Sequence, residues 1–117
     1  MKKTIVFEIA SLIEAMGQIV DAAHAGRPSR TARYAFPSAA DMARVLTPTR
    51  WGLIEAMTGA GPIGVRELAR KTGRDVKGVH TDANALVAVG VIDRAEGGKY
   101  VFPFDEVRVN FRLRAAA

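Results

Sequence analysis

The spacing of apolar residues changes period several times along the chain, and each change predicts an element. Ile5, Phe7 and Ile9 alternate with Thr4, Val6 and Glu8, which predicts a strand over residues 4–9 with one buried face. From Ser11 the period lengthens. Leu12, Ile13, Met16, Ile19, Val20 and Ala23 recur at helical spacing, and Gly26 followed by Pro28 is a stop signal. A strand and helix of this size cannot be stable alone, so their apolar faces must pack on the rest of the chain or on a second copy. The segment "GRPSRTARYAFPS" then carries Arg27, Arg30 and Arg33 without an acid, punctuated by Gly26, Pro28 and Pro37. It reads as a mostly extended connector, either a solvated linker or a phosphate-contacting arm.

Helical patterns return after Pro37. Ser38 is suited to cap a short helix through Leu46, with Asp41 placed to complement its free amides. Thr47, with Pro48 at the first helical position, opens "PTRWGLIEAMT", in which Trp51, Leu53, Ile54 and Met57 form an apolar stripe before Gly59 and Gly61. Trp51, the only tryptophan, is expected in the core. Val65, Leu68 and Ala69 mark a further short helix, "GVRELARKT", that stops at Gly73. Asp75 caps a longer one running to about Val89, and Gly90 ends it. The remainder alternates. "VIDRA" and "KYVFPF" flank Glu96-Gly97-Gly98, a hairpin signal, and "EVRVNFRL" sets Val107, Val109, Phe111 and Leu113 against Arg108, Asn110 and Arg112.

Projection of residues 76–89 onto a helix places Val76, Val79, Ala83, Leu86 and Val87 on one side and Lys77, Thr81, Asn84 and Ala88 on the other. With small residues at Gly78 and Ala85, such a helix could enter a major groove about 12 Å wide. Lys77 suits guanine or phosphate, Asn84 suits adenine, and Thr81 suits a base edge or a thymine methyl. Arg74, Lys77, Gly78, His80, Thr81 and Asn84 are therefore the candidate recognition-helix residues. Arg66, Arg70 and Lys71 on the preceding helix and Arg94 and Lys99 at the hairpin are the candidate contacts to the DNA backbone. His80 and Asp82 invite a catalytic or metal reading, but they project roughly 160° apart at 100° per residue and cannot converge. Asp82 is expected to pair with a cation such as Arg70 or Arg66, and His80 to pack or to contact phosphate.

Composition narrows the function classes. The chain of 117 residues is sized for one compact domain plus an appendage, and its net charge of +5 modestly favours an acidic partner. The absence of cysteine removes disulfides, thiolate catalysis and the usual structural zinc sites, and His24 and His80 are the only imidazoles. Ser11, Ser29 and Ser38 lack a glycine-rich elbow, and no phosphate-cradling loop occurs. Neither an enzyme, a metal nor a cofactor is expected. The start "MKKTIVFEIASLIEAM" and the "AHA" at 23–25 resemble a secretory signal, but Glu8, Glu14 and Asp21 interrupt the apolar run and no stretch approaches a membrane span. A cytoplasmic protein is expected.

Two helices joined by a glycine-containing turn and followed by a hairpin carry a resemblance. "VRELARKTGRDVKGVHTDANALVAVGVI" resembles the winged helix-turn-helix of MarR-like bacterial and archaeal regulators, and "LTPTRWGLIEAM" fits the helix before it. More narrowly, "GRDVKGVHTDANAL" followed by "GGKYVFPFDEVRV" resembles small DNA-binding regulators described as antitoxins of type II toxin–antitoxin pairs. The likeness covers residues 36–114. Those relatives often carry a longer polar residue at Gly78 and an arginine at Thr81, so their base preference does not transfer. The resemblance implies a DNA-binding homodimer that represses its own operon and neutralises a neighbouring toxin.

The expected fold is mixed but mainly α: a winged helix-turn-helix DNA-binding domain with a C-terminal β-hairpin over residues 36–117. Before it, residues 1–35 form a strand-helix dimerisation arm with an Arg-rich connector. The expected function is sequence-specific binding of double-stranded DNA for transcriptional repression, as an autoregulating antitoxin. Two alternatives stand beside it: a protein-interaction module that uses the winged helix only as scaffold, and an ordinary MarR-like regulator without a toxin.

Overall fold

A computed structural model describes residues 2–11, 13, 14, 16, 17, 31–113 and 115. In chain order its elements are β1 (Thr4–Ile9), β2 (Thr31–Phe36), α1 (Ala39–Val45), α2 (Pro48–Met57), α3 (Val65–Thr72), α4 (Val76–Ala88), β3 (Asp93–Arg94), β4 (Tyr100–Val101) and β5 (Glu106–Asn110). They fall into two compact units, one comprising Met1–Arg44 with Glu106–Ala117, the other Val45–Asp105.

The first unit is built on β1, which lies between β2 and β5 and runs parallel to both. This overturns the expected winged helix-turn-helix with an appended arm. The N-terminal strand is no arm but the centre of a three-stranded parallel sheet, and the C-terminal strand is its neighbour. The architecture is mixed α/β. Alternation in β1 predicts one buried face, yet Ile5, Val6, Phe7 and Glu8 are all buried, as a central parallel strand covered on both sides requires. The connector is corrected too. Residues 31–36 form β2, in which Tyr34 stands opposite Phe7, and the rings of Phe7, Tyr34 and Phe36 lie 4.8–6.2 Å apart, in the range of favourable edge and tilted contacts.

On the other face, the Arg33 guanidinium donates to Glu8 Oε2 at 2.9 Å, joining neighbouring strands through their polar side. Residues 13, 14, 16 and 17 are helical, and Ser11 Oγ accepts from the Glu14 amide at 3.1 Å as an N-cap does. The rest of the helix expected up to Gly26, together with Arg27 and Arg30, lies outside the described residues. At α1, Ser38 accepts from the Asp41 amide at 3.1 Å and donates to its carboxylate at 2.9 Å, which starts the helix where the sequence places it.

The second unit packs α2, α3 and α4 around Leu53, Ile54, Met57, Leu68, Val79, Ala83 and Leu86, none more than 1% exposed. Thr47 caps α2 through the Arg50 amide with Pro48 in the first turn, as expected, whereas Trp51 is only half-buried. The expected hairpin is a ribbon of two-residue strands, β3 and β4, paired through Asp93–Val101 and Arg94–Tyr100. Its inner edge is closed by Ile63, whose amide and carbonyl exchange hydrogen bonds with Tyr100 at 2.8 and 2.9 Å. Among the described residues, no helix is long and apolar enough to cross a membrane.

The sheet unit depends on the ring at the middle of β1. Phe7→Ala removes a fully buried side chain and is expected to cost about 3–5 kcal/mol. Amide hydrogen exchange should show the loss as reduced protection of β1 and β5, and unchanged protection there would refute it.

Candidate nucleic-acid interface

Helix α4 is held in place by three devices, each from different residues. Its apolar side, Val79, Ala83 and Leu86, is sealed in the core; Val76, expected beside them, is 43% exposed instead. Its start follows Gly73, which takes a left-handed φ of 65° to turn the chain out of α3, and Asp75 Oδ2 accepts from the Gly78 amide at 3.0 Å. Its polar inner edge carries Asp82, which accepts from Arg74 at 2.8 Å and from Arg50 at 3.2 Å. Arg66 and Arg70, the partners expected for Asp82, are not the ones used. Arg50 reaches it from α2 and also donates to the Val45 carbonyl at 3.0 Å, so one carboxylate joins α2, the turn and α4.

Gly78 serves this arrangement. A Cβ there would sit 2.9 Å from Asp75 Oδ1 and 3.1 Å from Arg74 Nη2, crowding both the cap and the ion pair. The absent side chain makes room inside the protein as well as outside it. Arg74, mostly buried, is likewise engaged inward.

Asn84 is a second junction. Its Oδ1 accepts from Arg94 Nη2 at 2.7 Å and from the Tyr100 hydroxyl at 2.8 Å, while its amide nitrogen lies 3.3 Å from His80 Nδ1. Arg94 also sits over the Tyr100 ring, 5.4 Å from its centroid. Asn84 therefore fastens α4 to β3 and β4. A bidentate contact with adenine needs both its oxygen and its nitrogen and would have to displace these bonds.

What remains facing outward is compact in its chemistry. The exposed residues of α4 are Val76, Lys77, His80, Thr81 and Ala88, with no acid among them. Thr81 Oγ1 donates to the Lys77 carbonyl at 3.0 Å, a local bond that leaves its methyl and acceptor lone pairs outward. Arg66, Arg70 and Lys71 on α3, and Lys99 next to β4, are exposed and form no ion pair among the described residues. Residues 45–105 hold eight Lys and Arg against seven Asp and Glu, so the net charge of +5 sits mostly elsewhere. The outer face of α4 is free of acid by placement, while Glu67 on α3 and the cap residue Asp75 are exposed. Asp82 faces inward between two guanidiniums, which removes the one acid of α4 from its outer surface.

Of the recognition-helix candidates, the structure presents Lys77, His80 and Thr81 together and uses Arg74, Gly78 and Asn84 internally. Arg50 and Tyr100, which position the helix, carry no local sequence signal; each meets α4 only through a long-range contact.

A family model described as HVO_A0114 matches residues 45–109, from the start of the helical unit into β5. No curated protein and no solved structure matches the chain.

Burial raises the affinity of the Asp82 carboxyl for its proton, but hydrogen bonds from Arg74 and Arg50, the Arg74 charge and a hydrogen bond from Thr49 outweigh it. The carboxyl is held below its ordinary value. A carboxylate lowered in the folded state adds stability above the unfolded-chain value and loses it as pH falls through the folded value. We expect Asp82→Asn to lower the thermal midpoint at pH 7, with the gap to wild type shrinking as the pH drops below about 4. A gap of equal size at pH 7 and pH 2 would contradict this account. Asn84→Ala, which leaves the Tyr100 hydroxyl without its acceptor, is expected to cost about 1–3 kcal/mol in urea unfolding followed by Trp51 fluorescence.

Proposed function

The chain belongs to the HVO_A0114 family over residues 45–109, and we propose that this unit binds double-stranded DNA with the outer face of α4 in the major groove. One observation carries the reading: an acid-free helical face of Lys77, His80 and Thr81 flanked by the unpaired cations Arg66, Arg70, Lys71 and Lys99. Small side chains at Gly78, Ala85 and Ala88 allow close approach, and in this reading the exposed cations contact the phosphates of the duplex backbone. Lys77 and Thr81 are the base-reading groups in this proposal; Asn84 and Arg94 set the helix and ribbon in register. The biological role is transcriptional repression in the cytoplasm, as the sequence resemblance implies, and the antitoxin role adds a protein partner encoded nearby.

A homodimer belongs to the same reading. The sheet unit leaves Ile13 82% and Leu113 80% exposed, with Met16, Val109 and Phe111 also uncovered, and β5 is an edge strand. A second copy would cover these side chains and supply a second α4 for a two-fold DNA site.

Fluorescence anisotropy with a labelled duplex tests the DNA reading. We expect log Kd to rise with log salt by about 0.9 per phosphate neutralised, and Lys71→Ala to reduce that slope by about 1 on every sequence. Thr81→Val should alter sequence preference while leaving the slope unchanged. Salt-independent binding, or none at low salt, would refute the proposal.

A further inference from the structure

The two edges of the parallel sheet differ. In β2 every residue but Arg33 is buried or half-buried, whereas each residue from Arg108 of β5 to Leu113 is exposed. Val109 and Phe111 are 46% and 45% exposed. The backbone of β5 is open along the same stretch. The Glu106 amide donates to the Lys3 carbonyl at 3.2 Å, and the ladder to β1 is parallel. Glu106, Arg108 and Asn110 therefore turn their peptide groups toward β1, and Val107 and Val109 turn theirs away. No strand meets that outer row among the described residues. A row of unpaired donors and acceptors is a template for another strand.

We propose that the strand it takes is β5 of a second copy, paired antiparallel about a two-fold axis through Val109, so that two three-stranded sheets become one. The proposal rests on the homodimer reading above and gives it a contact and a register.

A two-fold axis makes the strand its own partner, and the side chains decide where that axis falls. An axis through Val109 pairs residues 106–112 over their full length. It sets Glu106 opposite Arg112 of the copy, Arg108 opposite Asn110 and Val107 opposite Phe111, with no like charges face to face. Neighbouring axes are worse. One through Arg108 sets that guanidinium against its own copy, and one through Asn110 sets Arg108 against Arg112. The favoured register also continues an apolar row: Tyr34 stands beside Phe7 and Phe7 beside Val109, and at the axis this row meets its copy.

The chain has no cysteine, so single substitutions report the register directly. Hydrogen-bonded antiparallel partners have Cα atoms about 5.5 Å apart, which a disulfide can span, whereas separations beyond ~7 Å are out of reach. Sedimentation of the full chain without DNA is expected to give a dimer at micromolar concentration. On oxidation Val109→Cys should form a disulfide-linked dimer, and Arg108→Cys, whose copies lie two residues out of register, should not. Val109→Pro removes an outward amide and no bond to β1, so it should be monomeric with the far-ultraviolet circular dichroism of wild type. Should the proline variant unfold, the two cysteine variants decide. A monomeric wild type would overturn both this pairing and the homodimer reading. A dimer that survives Val109→Pro, or that links Arg108→Cys as readily as Val109→Cys, would overturn the pairing and leave the homodimer standing.

Discussion

The helical unit turns on the carboxylate of Asp82. It sits on the inner edge of α4 and is met by Arg50 from α2 and Arg74 from the turn, so three segments share one point of attachment. A partly buried acid with two donors is stable only in company, and so are its partners: without the carboxylate two guanidiniums would share a poorly solvated place uncompensated. The pairing also decides what the outside of the helix looks like. With its acid turned inward, the polar groups that α4 shows solvent are one cation, one imidazole and a hydroxyl, beside Val76 and Ala88.

Asn84 extends the same economy to the ribbon. Its oxygen serves Arg94 and Tyr100 at once, and the ring of Tyr100 lies under the Arg94 guanidinium, so the ribbon is bonded to α4 by side chains where its two-residue ladders are too short to hold it alone. Residues that look equivalent on a helical projection thus divide between holding the helix and facing outward. Angle alone does not separate the two.

Much of the local structure could be read directly because its causes are local. The caps at Ser38, Thr47 and Asp75, the proline at 48 and the left-handed turn at Gly73 lie within a few residues of the bonds they make. The sheet could not be read in this way. β2 hides in an Arg-bearing segment with no clean alternation, and parallel pairing leaves no turn between partners to announce it. The alternation of β1 shows a strand but not its surroundings: Val6 and Glu8 look like a solvent face, yet both are buried, as in a central parallel strand whose two faces are covered. At the candidate interface, the outward placing of Lys77 and Thr81 was legible from spacing, whereas that of His80, at the border of the apolar stripe, was not. The inward roles of Arg74, Gly78 and Asn84 were not legible either, because a helical projection does not show which side chains turn back onto their neighbours, as Arg74 does to Asp82, or meet a residue from another element, as Asn84 does Tyr100.

The order of strands in the sheet has a consequence for how the molecule comes to exist. Thr4 and Glu106 are bonded across 102 positions, and the whole helical unit is threaded between them, whereas that unit closes on itself within residues 45–105. Contacts so distant are slow to form, because the entropy of closing the intervening loop is lost before any pairing is gained. A helical unit that collapses first shortens the effective loop and brings the task within reach. Until it does, β1 has strand-forming sequence and no partner for one edge, a state in which another chain's β5 would serve as well as its own.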